Sequence, residues 1–211
     1  MKIKTIVFNP FRENTYLVYD DSGEAAIIDA GNLSLNENKT LLSVITSNNL
    51  TLKRSVNTHL HLDHQFGNGF VSETFHVLPE AHKADEFFID KLPETMQMYG
   101  FPFLVKAQRL GNYLDESDSV TFGNTELRII HVPGHSPGSL CFYHEKEGVL
   151  FSGDVLFELS IGRTDLEQGD HATLINGIRK KLFALPDYTV VYPGHGETTT
   201  IGYEKENNPY L

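Results

Sequence analysis

Short runs of β-branched and aromatic residues, separated by turn residues, open the chain. Ile3 to Phe8, Thr15 to Tyr19 and Ala25 to Asp29 predict three strands, set apart by Asn9-Pro10 and by Asp21-Ser22-Gly23. Leu35, Leu41, Leu42 and Ile45 fall at helical spacing between Ser34 and Asn48, so a helix is predicted there, with a strand from Leu52 to Thr58 after it. The pattern then returns. Thr125 to Val132, Ser139 to His144 and Val149 to Ser152 predict strands, about His171 to Leu185 an amphipathic helix, and Thr189 to Tyr192 a last strand. Two strand-rich halves, each closed by helices, predict a layered α/β sandwich.

The stretch from Ser72 to Asp118 departs from this rhythm. A helix-like Ala81 to Lys91 leads into a segment, Leu92 to Phe103, rich in apolar and aromatic residues around Pro93, Gly100 and Pro102. Such a segment either lines a substrate pocket or fastens a loop to the core.

At 211 residues, with no linker, low-complexity tract or repeat, the expectation is one domain over 1–211. No apolar run approaches the roughly 20 residues that cross a bilayer, and no signal segment is visible, so a soluble cytoplasmic protein with no membrane partner is expected. The formal charge of -11, with basic residues clustered only at Arg179-Lys180-Lys181, argues against a nucleic-acid partner. Nothing in the sequence sets an oligomeric state. The single cysteine, Cys141, excludes an internal disulfide, and its neighbours Leu140 and Phe142 mark it as a core residue.

The chemistry is concentrated in a few places. His59-Leu60-His61-Leu62-Asp63-His64 puts three imidazoles and a carboxylate within six residues, where a strand ends. His135, Asp154 and His195 follow, each beside a glycine. Neutral imidazole nitrogen and carboxylate oxygen suit zinc, iron or manganese. Seven donors exceed what one four-coordinate ion uses, so two divalent ions are the simplest reading, with zinc first and iron or manganese open. Alternate strand positions let His59 and His61 project the same way, leaving Asp63 and His64 to turn toward a second ion.

These motifs, with Pro133-Gly134-His135-Ser136-Pro137-Gly138, Ser152-Gly153-Asp154 and Pro193-Gly194-His195-Gly196, resemble the metallo-β-lactamase superfamily in order and spacing. Gly153 to Phe157, Gly162-Arg163-Thr164-Asp165, Gly169-Asp170-His171 and Asn208 to Leu211 are most similar to the compact glyoxalase II-like hydrolases, relatives of hydroxyacylglutathione hydrolase. The resemblance implies a four-layer αββα sandwich. It implies His59, His61 and His135 on one ion, Asp63, His64 and His195 on the other, and Asp154 between them. It further implies hydrolysis of a small thioester of the S-acyl-glutathione type, in which Asp63 orients a hydroxide shared by the ions.

Asp154, where a cysteine would point to common lactamases, and the lack of an inserted nucleic-acid-clamping segment set those branches aside. Full-length hydroxyacylglutathione hydrolases carry a helical extension that supplies much of the glutathione site, whereas this sequence runs about sixteen residues past His195. Arg163 either holds a substrate carboxylate through two parallel hydrogen bonds or is tied to Asp165 or Asp170. His171 is a candidate partner for a metal ligand; His76, His82, His131 and His144 are read as surface or core residues. A persulfide dioxygenase with one iron on His59, His135 and Asp154 is the main alternative, because that branch shares the Gly-Arg-Thr-Asp pattern; Pro193 to Gly196 resembles the hydrolase form. A non-catalytic metal-binding protein is the third reading.

Overall fold

The computed structural model describes residues 1–211. Its first half builds a six-stranded sheet in chain order: β1 (Lys2–Phe8), β2 (Glu13–Tyr19), β3 (Glu24–Ile28), β4 (Thr51–Val56), β5 (Pro79–Ala81) and β6 (Asn112–Tyr113). β1 to β3 are antiparallel, whereas β3 to β6 run parallel. The parallel pairs need crossovers. These contain α1 (Leu35–Ser47), the short α2 (Leu62–Gln65), α3 (Asn68–Phe75) and α4 (Phe87–Met98).

The second half forms another six-stranded sheet from β7 (Ser119–Phe122), β8 (Thr125–His131), β9 (Leu140–His144), β10 (Val149–Gly153), a minor hairpin's β11 (Leu156–Phe157) and β12 (Ser160–Ile161) set apart from it, then β13 (Val190–Pro193) and β14 (Thr199–Thr200). Its order is β14-β13-β10-β9-β8-β7. α5 (His171–Gly177), a π-helical turn over Ile178–Leu182 and α6 (Ile201–Asn207) complete the chain.

Alternation along the strands explains the layering. On β2 and β3, Tyr16, Val18, Ala26 and Ile28 join Leu127, Ile129, Phe142 and Phe151 of the other sheet in a core between the two. The intervening Leu17, Ala25 and Ile27 face outward instead, onto Leu41 and Ile45 of α1 and Val71 of α3. On the second sheet Ile130, Cys141, Tyr143 and Leu150 pack against Leu174, Ile178, Leu182 and Ile201. Both sheets are therefore apolar on both faces, and the layers read αββα. Cys141 is fully buried, with its thiol pushed up by burial, as a core residue requires. No helix is long and apolar enough to cross a membrane.

Helix ends follow local chemistry. Ser34 Oγ accepts from Glu37 N–H and the Glu37 carboxylate accepts from Ser34 N–H, a capping box at α1. Two predicted helices shift. The Ala81 to Lys91 prediction is corrected: β5 and a 3-10 turn over Lys83–Asp85 precede α4, which runs through Pro93 to Met98. Pro93 has no N–H to donate within the helix, yet Ile89, Leu92 and Met96 lie on one buried face that offsets this cost. The helix predicted to reach Leu185 ends at Leu182, where Phe183 N–H bonds to Ile178 O in the π register.

Candidate metal centre

The donors meet where strands of both sheets end. β4 delivers Asn57 to His61, α2 carries Asp63 and His64, the turn before β9 carries His135, β10 leads into Asp154, and β13 runs into His195. His59, His61, Asp63, His64 and His135 are all buried. Their ring nitrogens converge: His61 Nδ1 lies 2.8 Å from His135 Nε2, which lies 3.2 Å from His59 Nε2. Two nitrogens on one tetrahedral zinc would sit about 3.3 Å apart, so these three are close to ligand spacing.

A second group, Asp63, His64 and His195, brings one ligand atom from each within 4.8 Å of the others, as does the first. His195 Nε2 is 3.2 Å from Asp63 Oδ2. Asp154 touches both groups, with Oδ2 3.6 Å from His135 Nε2 and from His195 Nε2, and Oδ1 3.5 Å from His64 Nε2. All seven donors named from the sequence are thus brought together.

Two observations test whether cations fit. His64 Nε2 and Asp154 Oδ1 are buried and have no hydrogen-bond partner, although both point into the cluster. Electrostatics agrees. Desolvation and the neighbouring imidazoles hold His59 well below the ordinary histidine range, and desolvation holds His61 down to about 3, so both are neutral with lone pairs free. Desolvation would also lower His64, yet the Asp63, Asp154 and Asp29 carboxylates raise it well above the ordinary range. Burial opposes ionisation of Asp154, but the His64 imidazole beside it wins and holds that carboxyl low. The cluster draws positive charge to its centre, as a cation site does.

Four of the five imidazoles are anchored through the nitrogen facing away, while His61 Nε2 is buried without a partner. His135 Nδ1 meets Arg163 O at 2.8 Å, His195 Nδ1 meets Phe11 O at 3.1 Å, and His64 Nδ1 meets Asp29 Oδ2 at 3.1 Å. His59 Nδ1 meets Thr58 Oγ1 at 3.0 Å, and that hydroxyl donates to Asp29 Oδ2 at 2.7 Å. One buried carboxylate therefore sets the tautomer of His64 directly and of His59 through a threonine. Asp29 ends the apolar run Ala25-Ala26-Ile27-Ile28, the one sequence signal that could have exposed it.

A second buried carboxylate, Asp85, accepts from Leu60 N–H, Ser136 Oγ and Gly138 N–H, locking the His59 to His61 turn to the His135 turn. Burial pushes its carboxyl up to about 6. Asn14 donates through its side chain to Pro193 O and Gly196 O and through its backbone to Gly194 O, bracketing His195.

Other expected residues resolve differently. Arg163 is half of an exposed bidentate pair with Asp165, at 2.7 Å for both bonds, and makes none to Asp170. Asp170 instead caps α5 by accepting from Thr173 N–H. His171 is exposed and makes no side-chain hydrogen bond, so it backs no ligand; Asp29, Thr58 and two carbonyls do that work. The segment after Leu92 does wall a cavity of about 410 Å³ over the donors, through Leu92, Met98 and Tyr99, while Leu92 also belongs to a core cluster.

Comparison with known proteins agrees with this geometry. The sequence profile of the metallo-beta-lactamase superfamily matches residues 8–195. The hydroxyacylglutathione hydrolase GloC of Haemophilus influenzae is 38% identical over all of this chain and 98% of its own. Among solved structures, BLEG-1 B3 metallo-beta-lactamase superposes with a TM-score of 0.89 at 38% identity, over 100% of this chain and 99% of its own. TTHA1623 in a di-iron-bound form gives 0.87 at 32% identity, over 99% of this chain and 100% of its own. A profile match of that extent and relatives alike from end to end settle membership: the chain belongs to the metallo-beta-lactamase superfamily.

Proposed function

We propose that this metallo-hydrolase is a thioester hydrolase of the glyoxalase II type. The observation that carries the reading is the pair of three-donor groups joined by Asp154 at the base of a cavity. His59, His61 and His135 would hold one ion and Asp63, His64 and His195 the other. When bound, the ions supply a nucleophilic hydroxide at neutral pH and polarise the acyl carbonyl.

The chain's own residues do the rest. Asp63, 3.2 Å from His195, would accept a hydrogen bond from the attacking water and fix its direction. Asp29 and Thr58 keep His64 and His59 in the tautomers that point lone pairs inward. The cavity excludes bulk water from one side of the substrate. No carboxyl other than the donors stands free at its wall, since Glu167 is paired with Lys91. A thiolate leaves without a proton from the enzyme, so a thioester is the acyl substrate such a wall suits; an amide would need an acid.

The relation to GloC supports the same substrate class, and the di-iron TTHA1623 keeps iron beside zinc and manganese as the resident metal. Metal content per chain, measured with thiol release from S-lactoylglutathione and a neutral acetyl thioester, and with oxygen uptake on glutathione persulfide, tests the proposal. Two ions with thiol release support it. One iron with oxygen consumption replaces it with the dioxygenase.

A further inference from the structure

The polar side chains on the cavity wall are already engaged. Arg163 is held by Asp165 and Lys91 by Glu167. Gln65 donates its side-chain N–H to Leu60 O, and Thr95 donates its hydroxyl to the carbonyl of Lys91. Metal donors apart, only the Tyr99 hydroxyl on this wall makes no side-chain hydrogen bond within the chain. The remaining surface is Phe11, Leu60, Leu62, Phe88, Leu92, Met98 and Leu166.

A substrate carboxylate arriving at Arg163 or Lys91 would displace a carboxylate that is already there. One ion pair is exchanged for another, and exposed pairs carry little net energy. A peptide-like carrier with two carboxylates therefore gains almost nothing from these cations. An apolar group, by contrast, gains whatever area it removes from water. At the roughly 30 Å³ that a liquid water occupies, 410 Å³ holds about a dozen non-hydrogen atoms. That is room for a six-carbon acyl thioester together with about the first four atoms of its thiol carrier. Beyond Phe11 and Tyr99, whose rings meet edge to face at 5.5 Å, a second depression continues onto Phe101 and Phe103.

Resting on the thioesterase reading, we propose that the cavity selects the acyl group by its apolar area. The substrate class is then medium-chain aliphatic or aryl thioesters, accepted with little regard to the charge of the thiol carrier. Phe88, Leu92, Met98 and Leu166 are the specificity residues.

The test uses the metal-loaded protein and acetyl, butanoyl, hexanoyl and benzoyl thioesters of N-acetylcysteamine, with hexanoyl glutathione as the charged-carrier arm. Each fully buried methylene is worth about fourfold, so kcat/KM should rise at least about tenfold from acetyl to hexanoyl, and the two hexanoyl esters should agree within about threefold. Leu166→Asp, on a half-exposed loop, should bring the hexanoyl-to-acetyl ratio close to one. Binding of the non-hydrolysable S-hexyl and S-methyl glutathiones by calorimetry reads the same preference without turnover. Thiol release that is flat or falls with chain length overturns the apolar pocket and leaves the thioesterase intact. Tighter S-hexyl binding with no release from any ester keeps the pocket and overturns the thioesterase. Equal binding of the two thioethers overturns the pocket whatever the esters do.

Discussion

Replacing Asp29 by asparagine changes one oxygen to an amide nitrogen, at nearly constant shape, in a side chain that reaches a ligand of each donor group. Asp29 Oδ1 accepts from Thr58 N–H at 2.7 Å, while Oδ2 accepts from the Thr58 hydroxyl at 2.7 Å and faces His64 Nδ1 at 3.1 Å. The amide has two orientations, and each is penalised. With its NH₂ at the Oδ2 position it donates to Thr58 Oγ1 and faces His64 Nδ1, which favours moving the histidine proton to Nε2 and fills the lone pair a metal needs. Thr58, now an acceptor, turns its own proton toward His59 Nδ1 and pushes that imidazole the same way. With the amide reversed, the buried Thr58 N–H loses its acceptor at about 1 to 3 kcal/mol of fold stability. Loss of such a partner weakens metal binding about 10- to 100-fold, or about 1.4 to 2.8 kcal/mol per ion. The expected result for Asp29→Asn is that both ions leave at about 10- to 100-fold lower chelator concentration, or that the metal-free protein loses about 1 to 3 kcal/mol in urea. Metal content by mass spectrometry through a chelator titration, with urea unfolding of the stripped protein, reads both. Wild-type midpoints in both experiments would refute the control of the two histidines by one carboxylate.

Gly194→Ala would put a Cβ 2.1 Å from Asp154 Oδ1 and 2.8 Å from His64 Cε1, so it should displace at least one ion while far-UV circular dichroism stays native; a variant that retains two ions contradicts this. Asp85 has its carboxyl raised from 3.8 to about 6 by burial, so the folded state binds more protons than the unfolded one between those values. Wild-type stability relative to Asp85→Asn should therefore fall by up to about 3 kcal/mol as pH rises from 4 to 6, and urea midpoints that run parallel across that range would disprove it. Because Arg163 is saturated by Asp165, Arg163→Ala should change KM less than about threefold; a tenfold rise would assign the guanidinium to substrate after all.

The sandwich was legible because its strands carry apolar residues on successive positions, which marks burial on both faces even though it hides which face each residue takes. The donors were legible because four lie within one turn and the other three sit beside glycines that close approach demands, Gly194 most plainly. Their supports were not. Asp29 is far from His64 in sequence and meets it only because β3 and β4 pair in parallel, a pairing no local pattern encodes. The same holds for Asp85, which bonds to the His135 turn from 51 and 53 residues earlier in the chain. α4 outruns its sequence signal because Pro93 is a strong local veto, overruled by the packing of Leu92 and Met96. The two-residue strands β6, β11, β12 and β14 are too short to leave a periodic trace.

The clamp of Asn14 and Phe11 on the His195 turn bears on the order of events during synthesis. His195 reaches its place by contacts with residues 11 and 14, nearly the whole chain length away. Closing so large a loop is an entropic cost met only once both ends exist. A nascent chain emerging from the ribosome presents His59 to His64 long before the turn that completes their surroundings. The choice of metal is thus deferred until the turn after β13 has formed, and bound ions would fasten that turn to the His59 to His64 segment. Protease resistance should accordingly appear late and abruptly, with metal uptake rather than ahead of it.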